Sequence, residues 1–303
     1  MYQIRTVTND DLEAMKDVVR TSAPVDGVSV INLDGTVALR LSPDLTDMAV
    51  AEEDGAIIGF AGLSWQLRDN ARSTQVLVRP DQRRRGIGRA LAAYCEQRAR
   101  ALGCALSGSY LDTIPGAAAF AAALGTRPIG QWWFMVAELS DPRASQEQRP
   151  LAEGYAIRYA RPGEDEELFA ELFRDTFAQH RFLLPPPSQM IRENWSQASF
   201  DPASVAFATY QDEVVGVSAM RGRAEQRNGA IASCGHIGPV GVRAAHRQRG
   251  LARALLLDNL NYARRQGWEL ASLEVDSIND NAVALYRSLG FELTRRWDWW
   301  WKD

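Results

Sequence analysis

The sequence predicts an α/β chain, a mixed α+β sheet architecture built twice in tandem. Its length is the first reason: 303 residues is about twice an ordinary domain of roughly 150. An internal repeat is the second. Val78 to Leu91 (VRPDQRRRGIGRAL) and Val242 to Leu255 (VRAAHRQRGLARAL) agree at eight of fourteen positions at an offset of 164, where chance gives about one. Smaller echoes in the same order are the third: Ile4-Arg5 with Ile157-Arg158, Ile58-Gly59 with Val215-Gly216, and Leu124-Gly125 with Leu289-Gly290.

Each half is read in order. An initial strand precedes a helix, whose start in the second half is Arg161-Pro-Gly-Glu-Asp-Glu-Glu167, with carboxylates stabilising the N-terminal dipole. β-rich runs follow at Asp47–Ala61 and Val205–Ala219. Next comes a strand, an arginine-glycine turn and a long helix. Ile87, Leu91, Tyr94, Cys95 and Leu102 recur at helical spacing before Gly103, and the partner helix runs from Leu251 to Gln266 before Gly267. A strand at Ala271–Asp276 and a helix at Asp280–Leu289 come next, then a final strand carrying Trp297, Trp299, Trp300 and Trp301, read as core or interface. Arg181–Met190, with three consecutive prolines, is expected to be an exposed loop over a site. The polar, proline-bounded stretch 141–154 reads as a linker between domains at 1–140 and 155–303.

Composition excludes much. Net charge is −4, a poor balance for a general nucleic-acid binder. Lysine occurs only at Lys16 and Lys302, neither inside a phosphate-loop, kinase or pyridoxal motif. HExxH and GxSxG are missing. Cys95, Cys104 and Cys234 have no disulfide or zinc spacing, and His180, His236 and His246 no metal-ligand spacing, so no metal is expected. With no long apolar run and no signal-peptide core, the expectation is a soluble cytoplasmic protein without membrane or nucleic-acid partners, monomeric or homodimeric.

The turn carries the chemistry. Arg247-Gln248-Arg249-Gly250-Leu251-Ala252-Arg253 lies between strand and helix, where successive amides and the helix dipole favour an anion. Gly250 and small Ala252 let a phosphate approach the main chain. Val78 and Arg83-Arg84-Arg85-Gly86-Ile87-Gly88-Arg89 repeat the pattern. Leu91 stands where a dinucleotide GxGxxG needs glycine, and no metal-binding Ser/Thr follows, so the turn suits pyrophosphate recognition and not phosphoryl transfer.

On these residues each half resembles a GCN5-related N-acetyltransferase (GNAT) domain, whose Arg/Gln-x-x-Gly-x-Gly/Ala turn cradles the pyrophosphate of acetyl-coenzyme A. The second half adds Asn279-x-x-Ala282-x-x-Leu285-Tyr286-x-x-Leu289-Gly290-Phe291. The resemblance spans nearly the whole chain as a tandem pair, an arrangement similar to that of mycothiol synthases. It implies acetyl-coenzyme A as cosubstrate and direct transfer to a primary amine of a small molecule. It also implies that Val240 and Val242, on the strand weakened by Gly238, Pro239 and Gly241, hold pantetheine and the acetyl oxygen. Tyr286 matches the tyrosine that protonates the leaving thiolate, and Asn279 the asparagine that contacts the pantetheine arm.

For the base, His236 shares a strand face with Val242, and Glu274 on the adjacent strand is the second candidate. The halves are expected to differ. His236 falls on Arg72, Asn279 on Ile114, Tyr286 on Ala121 and Phe291 on Thr126. Catalysis is therefore expected in the second half. The competing reading is a non-catalytic acyl-coenzyme A sensor or assembly module.

Overall fold

The structure, a computed structural model, describes residues 1–26, 45–67, 69–178, 188–227 and 230–303. It forms two compact units, Met1–Trp132 with Arg296–Asp303, and Trp133–Arg295. In the first unit β1 (Gln3–Thr6), β2 (Met48–Glu53), β3 (Ala56–Leu67), β4 (Ala71–Val78) and β5 (Ala105–Leu111) lie in that order. β4 and β5 are parallel; the earlier neighbours are antiparallel. A sixth strand comes from the chain's end, where Trp297–Lys302 pair antiparallel with Leu111–Leu106. Helices α1 (Leu12–Asp26), α2 (Ile87–Leu102) and α3 (Ala117–Ala123) complete the unit. Ile87, Leu91, Cys95 and Ala99 repeat at helical spacing and pack α2 against Ala49, Ile58, Ala61 and Leu106 of the sheet. Gly103, at φ 64, closes the helix.

The second unit repeats the plan. Its strands run from β6 (Arg127–Glu138), from Trp133 onward, across β11 (Leu270–Asp276), β10 (Ala230–Val242), β9 (Glu213–Arg227) and β8 (Val205–Tyr210) to β7 (Tyr155–Tyr159). α4 (Glu166–Thr176) and α5 (Ser188–Trp195) pack on one face through Phe169, Leu172, Ile191 and Trp195. On the other face Leu256, Leu257, Leu260, Val283 and Tyr286 of α6 (Leu251–Arg265) and α7 (Asp280–Ser288) meet Met135, Ile237 and Leu273. The last strand, β12 (Glu292–Lys302), starts in this unit and ends in the first.

The echo of Arg5 and Arg158 acquires a reason. Each guanidinium clamps the buried carboxylate that opens its unit's first helix, Arg5 to Asp11 at 2.7 Å and Arg158 to Asp165 at 2.7 and 2.9 Å. The units are not contiguous halves, because each takes its last strand from across the repeat boundary. Within 141–154 there is neither helix nor strand, as the two prolines predict, yet Ala144 is fully buried and Arg143 bridges Asp141 and Glu292. Of the expected loop Arg181–Met190, residues 181–187 lie outside the described residues, and Ser188–Met190 form the first turn of α5.

Candidate functional site

Strand β10 pairs with β11 from Cys234/Leu270 to Ile237/Leu273, and no further. Against β9 its register then shifts: Ile237 faces Met220 and Val240 faces Ser218, so Gly238 and Pro239 oppose Ala219 alone. This bulge bends β10 away from β11, and proline's missing N–H fits a residue out of the ladder. The main chain of Val240, Gly241 and Val242 is thus unpaired on the β11 side. Gly241 serves packing too, because a Cβ there would collide with Thr176 at the end of α4.

Beyond Val242 the chain is fixed. The Arg243 amide donates to Val215 O at 2.8 Å, and its guanidinium bridges Glu213 and Glu171 at 2.8 and 2.6 Å. Arg247 Nε then donates back to Val242 O at 3.0 Å. Gln248 and Gly250 take positive φ, 61° and 79°, which turns the chain into α6. The ladder of α6 starts with the Ala254 amide on Gly250 O. The amides of Leu251, Ala252 and Arg253 therefore lack helical partners, and no side chain caps them. That is a main-chain anion site with the dipole behind it. Among the described residues no carboxylate pairs with Arg247 or Arg249, whereas Arg253 is already bonded to Ser288 and Gln146. The splayed strand and the uncapped turn fit the pantetheine arm and pyrophosphate of acetyl-coenzyme A.

The first unit bends its chain the same way and spends its charges differently. Arg83 Nε donates to Val78 O at 3.0 Å, and Arg84 and Gly86 take φ 66° and 85°. However, Arg83 also forms a two-pronged bond, 2.8 Å each, to the buried carboxylate of Asp26. Arg85 does the same to Glu53, holding that carboxyl down to about 2. Ile87 is buried in the core, Gly88 sits against Phe120, and Arg89 is exposed. Arg72, at the position of His236, is tied to Asp47, and buried Ala121 stands at the position of Tyr286.

Tyr286 lies in the buried cluster that contains Ile237, Val240, Leu273 and Val275, the residues bordering the splay. Burial pushes its phenol up to about 12, so it stays protonated, and its hydroxyl has no partner among the described residues. Asn279 caps α7 through Oδ1 to the Ala282 amide at 3.3 Å, which leaves its amide nitrogen for another partner.

The opposite face of the same strands is polar, and it holds His236: the bulge at Gly238-Pro239 reverses the alternation, so His236 and Val242 do not share the face that simple alternation predicts. His236 Nδ1 lies 3.2 Å from Ser272 Oγ, which accepts from the Cys234 thiol at 3.3 Å. Burial, then Arg223 and Arg221, lower His236 to about 3. Glu274 is exposed, although protein atoms crowd its carboxyl. Burial raises its carboxyl, against Arg223, Arg295 and Arg221, and no donor binds it directly among the described residues. Sequence reasoning missed the frame around these groups. Arg223 and Arg295 lie over the Phe134 ring at 4.7 and 4.1 Å, and both bond to buried Glu225, at 2.9 and 2.6 Å. Alternation in β9 was the available signal, since Arg221, Arg223 and Glu225 share a face with Cys234 and His236 of β10. His246, by contrast, bonds to Tyr155 at 2.9 Å, and His180 lies outside the described residues. No helix among the described residues is long and apolar enough to cross a membrane.

A splayed strand, an uncapped helix-opening turn and a buried phenol beside the splay fit an acyl-coenzyme A-dependent acetyltransferase. The chain belongs to the GNAT acetyltransferase family, whose pattern it matches over residues 29–125 and 166–291, and it is an N-acetyltransferase. It is 32% identical to the mycothiol acetyltransferase of Thermobispora bispora, over 94% of this chain and 93% of that one. With the mycothiol acetyltransferase of Nocardia farcinica it shares 29%, over 92% and 90%. Among solved structures it is similar in fold to a GCN5-related N-acetyltransferase from Sphaerobacter thermophilus (TM-score 0.75, 23% identity, 99% of this chain and 95% of that chain). A tandem GNAT protein from the clavulanic acid biosynthesis pathway is also similar (TM-score 0.73, 22% identity, 99% and 98%).

Proposed function

We propose that the chain moves an acetyl group from acetyl-coenzyme A directly to a primary amine of a small molecule, and that the second unit alone does this. The single observation that carries the reading is the uncapped turn at Arg247–Gly250 following a splay that is bordered by the phenol of Tyr286, whose hydroxyl has no partner among the described residues. The first unit has the same turn with Arg83 and Arg85 paired to Asp26 and Glu53, and Ala121 at the position of Tyr286. Relatives named for mycothiol support a small acceptor.

Acetyl-coenzyme A supplies a thioester carbonyl and a thiolate leaving group. The amides of Leu251, Ala252 and Arg253 hold its pyrophosphate, with Arg247 and Arg249 adding charge. Val240 and Val242 offer main-chain donors along the splay, where negative charge on the carbonyl oxygen is stabilised. Tyr286, protonated at neutral pH, gives its proton to the departing sulfur. Of the two base candidates, Glu274 is favoured. A carboxylate raised by burial and free of direct bonds approaches the useful range, while an imidazole lowered to about 3 is too weak and its Nδ1 is occupied. His236 then orients the cleft through Ser272.

The test titrates acetyl-coenzyme A and follows free thiol while a panel of small amines is added. Amine-dependent release supports the proposal. Saturable binding of acetyl-coenzyme A without release with any amine contradicts it and leaves an acyl-coenzyme A sensor.

A further inference from the structure

Three arginines and two carboxylates share the polar face around Glu274. Glu225 is divided between Arg223 and Arg295, so that trio keeps one positive charge. Arg221 is exposed and has no partner among the described residues, and its charge acts on both His236 and Glu274. It faces His236 directly across β9 and β10, and His236 in turn faces Ser272, two residues before Glu274. Arg221 and Glu274 therefore lie about two strand spacings apart across the sheet and two residues apart along it, roughly 12 Å between main chains. Side chains as long as arginine and glutamate close most of that gap.

We infer that the acceptor amine carries a carboxylate a few bonds from its nitrogen, with Arg221 receiving the carboxylate and Glu274 the ammonium. The inference rests on the second unit's being the catalytic one, and adds the acceptor's charge pattern. The arginine side carries two net positive charges, three guanidiniums less Glu225, and a substrate carboxylate offsets one of them. The lone carboxylate of Glu274 meets the cation and then takes its proton. An amine without a carboxylate would leave the Arg221 charge unpaired.

The test measures thiol release for matched pairs, each amino acid against its carboxamide: glycine and glycinamide, β-alanine and β-alaninamide, L-serine and L-serinamide. Carboxamides have the less basic amines and hence more free base near neutral pH, so intrinsic chemistry favours them. The expected result is a preference for the acids of about 10- to 100-fold in kcat/KM, the size of one charged hydrogen bond. Arg221→Gln, at an exposed position, should collapse that ratio. Amides used as well as acids, a ratio unchanged in Arg221→Gln, or release only with neutral amines outside the pairs would each overturn the inference and leave acetyl transfer standing. Release with no amine at all would overturn both.

Discussion

The Nε–H of Arg247 donates to the carbonyl oxygen of Val242 at 3.0 Å, locking the end of β10 to the turn that opens α6. Arg83 makes the same bond to Val78, so the backbone design is shared and the function is not. Gly250 and Gly86 both sit at φ near 80°, where an added Cβ costs about 1–2 kcal/mol. Gly250→Ala and Gly86→Ala should therefore lose similar stability in urea unfolding. Only Gly250→Ala should raise the KM for acetyl-coenzyme A, by about tenfold; equal KM values in the two variants would contradict the assignment.

Tyr286 contributes its ring to the core and leaves its hydroxyl without a partner among the described residues. Removing only the oxygen should leave stability within about 0.5 kcal/mol. Thermal and urea unfolding of Tyr286→Phe check this. A loss of several kcal/mol would mean that the hydroxyl has a structural partner.

The base carries a pH signature. Glu274 must be ionised to accept a proton, so kcat/KM should fall as pH drops through its pKa, which burial places above the ordinary 4.5. Arg223 opposes that rise. Arg223→Gln should therefore move the acid limb to higher pH, and Glu274→Gln should cut kcat/KM by about 100-fold or more and erase the limb. A limb that follows His236→Gln instead would make the imidazole the base.

His236 affects stability in the opposite direction to an ion-paired histidine. Its pKa is about 3 folded against 6.5 for a free imidazole, so between those values the unfolded chain binds the extra proton. Stability from this group is full above pH 6.5 and is lost as pH falls toward 3. Denaturant unfolding at pH 7.5 and 4.5 should show a smaller acid loss for His236→Gln than for the unaltered chain. Equal losses would show that the imidazole is not held neutral.

Much of this was legible in the residues. The duplicated Val-Arg…Arg-x-Arg-Gly pattern gave both strand–turn–helix units, because an arginine returning to a strand carbonyl and a glycine at positive φ are local requirements. Gly103 marked a helix end for the same reason. The exchange of last strands was not legible, since Trp132-Trp133-Phe134 and Trp297-Asp298-Trp299 are equally good last-strand sequences and only long-range pairing decides between them. Nor was the state of the arginines: Asp26 and Glu53 lie 57 and 32 residues from Arg83 and Arg85. Asn279 reads alike as cap and cofactor ligand because its side chain has a group for each.

The central claim is that chemistry resides in the second unit. Its most direct test is the rate of thiol release, at saturating acetyl-coenzyme A and amine, for Tyr286→Phe and Arg85→Ala beside the unaltered chain. A loss of about 100-fold or more in Tyr286→Phe, with Arg85→Ala within about threefold as an exposed surface change, is expected. Equal losses, or the larger one in Arg85→Ala, would contradict it.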